Sequence, residues 1–198
     1  MDRLRQTEGL QIRQRREMIE VFTGFETKNQ YEVRTPAGEP LYHAAEESGF
    51  LGRNVLNSAR PFQIHVADST GTEVLLFRRP FTFYWHHVDV YDAAGAALGT
   101  VVRRFSLLRR LYTLRDAAGQ PVLELFGPLL HPWTFHVRRG AEQIGKITKR
   151  WSGLGTEAFT DADTFGVTWP AELDLSLKAL LLGAVFLIDF MYFERGSD

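Results

Sequence analysis

The chain has 198 residues, of which 44% are hydrophobic, 24% charged and 13% aromatic. Its 23 basic and 24 acidic side chains give a formal charge of -1, so no global positive field attracts it to nucleic acid or anionic lipid. It contains no cysteine, which excludes disulfides, thiolate catalysis and thiolate metal sites. The composition predicts one globular domain over residues 1–198. Charges scattered through the N-terminal residues argue against a secretory signal, and predict a cytoplasmic protein.

Short alternating segments dominate residues 10–169, and this pattern is typical of antiparallel strands. Five of these units read as a strand, a tight turn and a second strand. With an opening pair of strands they predict about twelve strands, which must face each other as two sheets or close into a ring. The glycines predicted to form the turns, where positive φ is needed, are Gly38, Gly71, Gly95, Gly119 and Gly140.

The most apolar stretch of the chain is "DLSLKALLLGAVFLIDFMYFE", residues 174–194, and it predicts a helix over about 172–193. Such a helix, apolar nearly all round, is enclosed either by protein or by lipid. Asp174, Lys178 and Asp189 form a narrow polar stripe, which has no partner around a lone helix in lipid but can pair with strand residues inside a barrel. The uninterrupted apolar run is also short for a span. Burial is therefore favoured, and a membrane span is the alternative.

Several stretches, in order, resemble the phospholipid scramblase family over residues 10–194. They include "FTGFETKNQYEV", "DSTGTEVLLFRRPF", "GKITKRWSG" and, above all, "EAFTDADTFGVTWPAELDLSLKALLLGAVFLIDFMYFE". The resemblance implies a Tubby-like fold, a closed antiparallel barrel of about twelve strands around a C-terminal hydrophobic helix, although the family's helix has also been described as a membrane span. Where animal members carry a palmitoylated cysteine-rich stretch, this chain has "FTFYWHHVDVYD". That departure and the short chain look bacterial.

The resemblance also implies a calcium site. The family's proposed ligand positions fall on Asp161, Asp163, Phe165, Val167, Trp169 and Glu172. Counted from Asp161, carboxylates stand at positions 1, 3 and 12, which copies part of the EF-hand pattern and would make Ca²⁺ the cofactor. The alternative is a β-turn followed by a strand whose aromatic residues alternate into the core.

Basic doublets recur along the strands, and most are expected on solvated outer faces. One segment, "RRFSLLRRLY" at 103–112, mixes apolar residues with arginines in a way suited to lipid headgroups and shallow insertion. The predicted lipid surface consists of Arg103, Arg104, Arg109 and Arg110.

No sequence motif of a hydrolase, a nucleotide-binding protein or a dehydrogenase is present, so covalent catalysis is not expected. The sequence therefore predicts a scramblase-like protein that binds or moves phospholipid, with a peripheral position at the inner face of the membrane. Translocation by one helix with three charges would require a homo-oligomer, barrel opening or another protein. The alternative is a soluble Tubby-like module that binds phosphoinositide or another anionic ligand. Nucleic acid is not an expected partner.

Overall fold

The fold is seen in a computed structural model that describes residues 1–15, 27–47, 60–107, 109–131, 133–149 and 164–192. A short helix α1 (Asp2–Arg5) precedes twelve strands, and a long helix α2 (Leu175–Tyr192) follows them. The strands are β1 (Gly9–Arg15), β2 (Thr27–Arg34), β3 (Pro40–Glu47), β4 (Phe62–Ala67), β5 (Glu73–Arg79), β6 (His87–Asp92), β7 (Ala97–Arg104), β8 (Arg110–Asp116), β9 (Pro121–Gly127), β10 (Thr134–Arg139), β11 (Glu142–Lys149) and β12 (Thr164–Thr168).

The twelve strands form a closed antiparallel barrel in which each strand pairs with its neighbours in sequence. Closure is made by β1 and β12, where Gly9 pairs with Thr168 and Ile12 with Phe165. Because the ring is closed, the described barrel strands present no long unpaired edge.

Five hairpins are closed by tight turns, and three of these turns share one chemistry. At 92–96, for example, the Asp92 carboxylate accepts the backbone N–H groups of Ala94 and Ala96 at 2.9 and 2.8 Å. Gly95 has a φ of 79°, which an L side chain adopts only with strain. The turns at 68–72 and 116–120 repeat this arrangement around Asp68 and Asp116. The five predicted turn glycines all have positive φ.

Helix α2 fills the barrel. A ring of twelve strands is too wide for its own side chains to fill, and a helix about 10 Å across occupies that space. Phe186 contacts the rings of Tyr31 and Phe77, both at 5.2 Å between centroids, and Phe190 contacts Phe62 at the same distance. Residues 178–191 of the helix are all buried. Burial of this apolar surface is the main contribution that the helix makes to folding stability.

The predicted fold is confirmed: a closed antiparallel barrel of twelve strands encloses the C-terminal helix. In length and hydropathy α2 could cross a membrane, but it is the core helix of this barrel. The helix begins at Leu175 and not at 172, because Asp174 caps it by accepting the backbone N–H of Ser176 at 2.8 Å. Asp174 is exposed at that cap, so it does not belong to the buried polar stripe. Helix α1 was not predicted.

Candidate lipid binding site

The two ends of the barrel differ in structure. All five tight turns lie at the end where α2 begins, which we call the turn end. At the opposite end, the loop end, α2 finishes and longer connections join the strands. Three of these connections are described: the aromatic loop at 80–86, the arginine loop at 105–109 without Leu108, and the proline loop at 128–133 without Pro132. The loop end therefore carries the irregular backbone, which in many folds carries the binding site.

The four arginines of the predicted lipid surface flank the arginine loop, and they divide into two kinds. Arg104 and Arg109 are exposed. The Arg104 guanidinium donates to the Glu124 carboxylate at 3.1 Å, and Arg109 lies over the ring of Phe126 at 5.5 Å. Both side chains point outward, where a lipid headgroup could reach them.

Arg103 and Arg110 are partly buried and tie the loop end to the helix. Arg110 donates to the backbone carbonyls of Pro128 at 2.9 Å and His131 at 3.1 Å, and so holds the proline loop. The guanidinium groups of Arg103 and Arg110 lie 5.7 and 5.6 Å from the ring of Tyr192. These two side chains position the loops around the last turn of α2, so their part in lipid binding would be indirect.

The apolar residues predicted for shallow insertion are exposed at the tip of the arginine loop. Phe105 and Leu107 have 87% and 85% of their surface accessible, whereas Leu111 is partly buried on β8. Leu108 lies outside the described residues. On the outer face of the barrel, Phe105, Trp85, Arg104 and Arg115 line a groove of about 450 Å³. The groove offers guanidinium groups beside aromatic rings, a combination that suits a phosphate headgroup.

Sequence reasoning missed the aromatic loop as a surface feature. Tyr84 and Trp85 have 87% and 73% of their surface exposed, and Phe81 packs against Phe83 with 4.9 Å between ring centroids. The proline loop was missed as well, although Leu130 is 90% exposed. The signal was present in "PFTFYW" and "GPLLHPW", which are uncharged apolar runs between strands.

A buried arginine holds the aromatic loop at its base. Arg79, only 2% exposed, ends β5, and its guanidinium donates to Nδ1 of His86 at 2.8 Å. Because arginine can only donate, His86 Nδ1 must be the acceptor and therefore unprotonated. The same guanidinium donates to the carbonyl of Arg60 and lies 4.5 Å from the ring of Phe190 on α2. The two ends of the aromatic loop are thus joined to each other and to the helix.

Two charged residues of α2 are buried at opposite ends of the barrel. Near the turn end, Lys178 Nζ donates to the carbonyls of Arg5, Thr7 and Ala171 at 2.7, 2.9 and 3.0 Å. Burial lowers the pKa of the Lys178 ammonium below its usual 10.5. Near the loop end, the Asp189 carboxylate accepts the Tyr31 hydroxyl at 3.1 Å and lies 3.7 Å from Lys149 Nζ. The stripe therefore pairs with the protein around it, as a core helix requires.

The predicted calcium site is only partly within the described structure, since Asp161 and Asp163 lie outside it. Phe165, Val167 and Trp169 have their side chains buried in the core, and the Trp169 indole donates to the Thr7 carbonyl at 2.8 Å. Of the four described ligand positions, Glu172 alone has a carboxylate, and this residue is exposed at the turn end.

The geometry of β12 bears on how these positions could meet. The strand begins at Thr164 at the loop end, and over its extended length of about 13 Å it carries the chain away from that end. The four described positions therefore do not fit one cage of oxygen ligands. Among the described residues, no three His, Asp or Glu side chains come together as a metal site. The calcium site remains a prediction.

Comparisons with known proteins assign the chain to a family. The scramblase family model matches residues 1–195. Phospholipid scramblase 1 of Rattus norvegicus is 36% identical over 212 residues, covering 100% of this chain and 63% of that protein. Phospholipid scramblase 1 of Homo sapiens is 35% identical, with 98% of this chain and 65% of the relative covered.

A third relative, phospholipid scramblase family member 5 of Homo sapiens, is 32% identical, with 98% of this chain and 77% of the relative covered. No solved structure gives a significant match. This barrel with its buried helix thus belongs to a chain whose three relatives above are all named phospholipid scramblases. The chain belongs to the scramblase family. It spans a little under two thirds of the length of the first two of these relatives.

Proposed function

We propose that this chain is a scramblase-like protein that acts at phospholipid membranes, binding or moving lipid without covalent chemistry. The observation that carries the proposal is the loop end, where exposed Phe105 and Leu107 stand beside the outward arginines Arg104 and Arg109. Apolar side chains next to guanidinium groups match the chemistry of a bilayer surface, which has phosphate groups above an apolar layer. Membership of the scramblase family points to the same kind of ligand.

The fold limits how lipid could be moved. A phospholipid that changes leaflet must carry a polar headgroup across about 30 Å of hydrocarbon. Helix α2 occupies the barrel axis, and its buried charges are already engaged by carbonyls, a tyrosine and a lysine. Lipid movement would therefore follow the outer surface of the barrel, pass between copies in a homo-oligomer, or need the barrel to open. The outer groove beside Trp85 and Arg104 is the described feature best suited to a headgroup on such a path.

Reconstitution tests this function directly. Purified protein is incorporated into liposomes that contain a fluorescent phospholipid, and a membrane-impermeant reductant bleaches the outer leaflet. Transfer of lipid would let the reductant bleach the inner-leaflet probe as well, faster than in protein-free liposomes. A matched sample of protein unfolded before reconstitution controls for leakiness. If bleaching stops at the outer leaflet at high protein load, the chain does not scramble lipid under these conditions.

A second function is a binding module that recognises phosphoinositide or another anionic headgroup and transfers no lipid. It is favoured by the way in which Lys178 and Asp189 lock α2 inside the barrel, since an immobile helix serves structure alone. The same liposomes separate the two functions, because a binding module would bind vesicles without accelerating bleaching. In either case the proposed location is peripheral, at a membrane surface.

Calcium modulation is a separate proposal. It rests on the acidic residues Asp161 and Asp163 and on the exposed carboxylate of Glu172. The test compares vesicle binding and bleaching with Ca²⁺ and with a chelator, in the wild type and in the Asp161→Asn and Asp163→Asn variants. A calcium response that survives both substitutions would exclude these two carboxylates as ligands.

A further inference from the structure

Within the part of the chain that the structure describes, the large exposed hydrophobic side chains are all at one end of the barrel. Among the described residues, nine large hydrophobic side chains are exposed, and each of them lies on one of the three described loops of the loop end. Scattered single hydrophobic residues are normal on a protein surface, but a group confined to one end indicates an interaction surface. The nine are Phe81, Phe83, Tyr84, Trp85, Phe105, Leu107, Leu129, Leu130 and Trp133.

Acidic residues are distributed differently from the exposed apolar residues. The sequences of the three loops, at 80–86, 105–109 and 128–133, contain no Asp or Glu. At the turn end every tight turn has a carboxylate in it or beside it. The three loops therefore combine apolar tips and arginine bases, whereas the tight turns carry carboxylates, with the exposed arginines Arg115 and Arg139 beside two of them. These turn carboxylates belong to Glu39, Asp68, Asp92, Asp116 and Glu142.

Two of the three loops, the aromatic loop and the proline loop, are held in place by polar contacts beneath them. The Arg79 to His86 hydrogen bond joins the two ends of the aromatic loop, and Arg110 donates to two carbonyls of the proline loop. Exposed apolar residues on such anchored loops lose little conformational freedom when a ligand covers them, which favours binding.

We infer that the loop end docks onto a lipid bilayer with the barrel axis roughly along the membrane normal. In this orientation the tips of the three loops enter the interfacial layer, Arg104 and Arg109 lie at the level of the phosphates, and the tight turns face the solution. The inference rests on the proposed function. It adds the orientation of the barrel, and it adds the aromatic loop and the proline loop as membrane contacts beside the arginine loop. Trp and Tyr side chains prefer this interfacial depth.

A bilayer fits this surface better than a folded protein does. The most exposed apolar residues, Tyr84, Leu107 and Leu130, stand on three different loops, β5–β6, β7–β8 and β9–β10, and none of the three lines the outer groove beside Trp85 and Phe105. A fluid layer can accept such separate side chains without matching their shape. The three described loops contain no Asp or Glu, which suits an anionic leaflet, whose field attracts arginine and repels carboxylates.

The absence of cysteine from the sequence gives a direct test of orientation. Single cysteines are introduced by Tyr84→Cys or Leu130→Cys at the loop end and by Ala94→Cys or Ala118→Cys at the turn end, all exposed positions. Each is labelled with a nitrobenzoxadiazole fluorophore. The proteins are mixed with vesicles of phosphatidylcholine and phosphatidylserine, with and without lipids that carry a nitroxide quencher on the acyl chain.

The expected result is a blue shift and quenching of the two loop-end labels, with no change in the two turn-end labels. Quenching of the turn-end labels, or equal behaviour at both ends in protein that sediments with vesicles, would overturn the inference. So would a blue shift of the loop-end labels that occurs without vesicles and grows with protein concentration, because that result would identify a second copy of the chain as the occupant.

A paired variant adds a measurement that does not depend on a label. Tyr84→Ser combined with Leu130→Ser is expected to weaken co-sedimentation with the same vesicles by about tenfold, since each change removes apolar surface from the bilayer. Ala94→Ser combined with Ala118→Ser is the matched control and should bind like the wild type. Equal binding by the two double variants would contradict docking through the loop end.

These readouts separate the inference from the proposed function. Wild-type protein that does not sediment with either neutral or anionic vesicles overturns both. If the protein sediments with vesicles and shows the expected label pattern but does not accelerate lipid bleaching, docking is supported and scrambling is excluded. If the protein accelerates bleaching of the inner-leaflet probe while the emission of its loop-end labels does not shift, the docking orientation is wrong and the proposed function stands.

Discussion

Tyr31 on β2 donates its hydroxyl to the carboxylate of Asp189 on α2 at 3.1 Å, although 158 residues separate them in the chain. Asp189 Oδ1 also lies 3.7 Å from Lys149 Nζ on β11. Two strands on different parts of the ring therefore meet the same residue of the helix. This contact helps to fix the rotation of α2 within the barrel, together with the packing of Phe186 and the hydrogen bonds of Lys178.

The first prediction concerns this contact. Asp189→Ala removes the acceptor of the Tyr31 hydroxyl and the counter-charge of a largely buried lysine, so it is expected to lower the free energy of unfolding by about 3 kcal/mol. Tyr31→Phe removes one hydrogen bond and should cost about 1 kcal/mol. Urea unfolding measures both values. Loss of less than about 0.5 kcal/mol in Asp189→Ala would mean that the carboxylate does not anchor the helix.

The second prediction concerns Lys178. Its ammonium donates to three backbone carbonyls, of which that of Thr7 also accepts the Trp169 indole N–H. Lys178→Met keeps the length of the side chain but deprives the carbonyls of Arg5 and Ala171 of this donor. The expected loss is about 2 to 4 kcal/mol in the free energy of unfolding at neutral pH. A variant as stable as the wild type would show that the apolar gain offsets these contacts.

The wild type and Lys178→Met should also differ in how their stability depends on pH, because burial lowers the pKa of Lys178 in the folded protein. Between that lowered pKa and the usual lysine pKa of about 10.4, the unfolded chain binds more protons than the folded one, so stability rises with pH in this interval. Lys178→Met lacks this rise. The stability gap between wild type and variant should therefore widen as the pH increases toward about 10.4 and then stay constant.

Taking the difference between the two proteins is necessary because buried tyrosines act in the opposite direction. Burial raises the pKa of Tyr42 and Tyr112 in the folded protein. Above the usual tyrosine pKa of about 10, the folded protein therefore binds more protons than the unfolded chain, and these two residues make stability fall as the pH rises. Both proteins contain these tyrosines. A gap that narrows at alkaline pH would contradict a lowered pKa for Lys178.

The third prediction tests the burial of α2 at its midpoint. A side chain at Gly183 would meet the ring of Phe77 at 3.0 Å and Cγ2 of Val90 at 3.2 Å. Gly183→Leu should therefore overpack the barrel and lower the free energy of unfolding by about 3 kcal/mol. Ser176→Leu, in the partly exposed first turn, serves as the control and should change it by less than about 1 kcal/mol. In a helix surrounded by lipid, an added leucine at Gly183 would cost nothing, so unchanged stability would contradict the barrel.

Some of this fold could be predicted from sequence because its signals are local. The Asp and Gly positions of turns such as 92–96 set the hairpins by backbone chemistry alone. The apolar character of α2 around its whole circumference predicts enclosure, whichever strands provide it.

The arginines of the loop end show where local signals failed. Adjacent arginines looked alike in sequence, but alternation along a strand sends one of each pair inward. Arg79 is buried while Arg78 is exposed, and Arg104 is exposed while Arg103 reaches the ring of Tyr192. The inward members depend on aromatic rings of α2, more than 80 residues away in the chain, and no local pattern indicates that contact.

The last prediction separates the exposed arginines from the inward ones by their effect on lipid. Arg104→Gln combined with Arg109→Gln should weaken binding to phosphatidylserine-containing vesicles by about 2 kcal/mol at low salt, because each arginine near an anionic surface contributes about 1 kcal/mol. The thermal midpoint should stay unchanged, since both side chains are exposed.

Arg110→Gln is the contrasting variant. It removes the donor to the carbonyls of Pro128 and His131, so it should lower the thermal midpoint. Salt provides the second measurement: at high ionic strength the difference between wild type and the Arg104 and Arg109 double variant should shrink, since charges farther apart than about 10 Å are screened at 0.1 M salt. A deficit that is independent of salt, or a double variant that binds like the wild type at low salt, would show that these guanidinium groups do not face the phosphates.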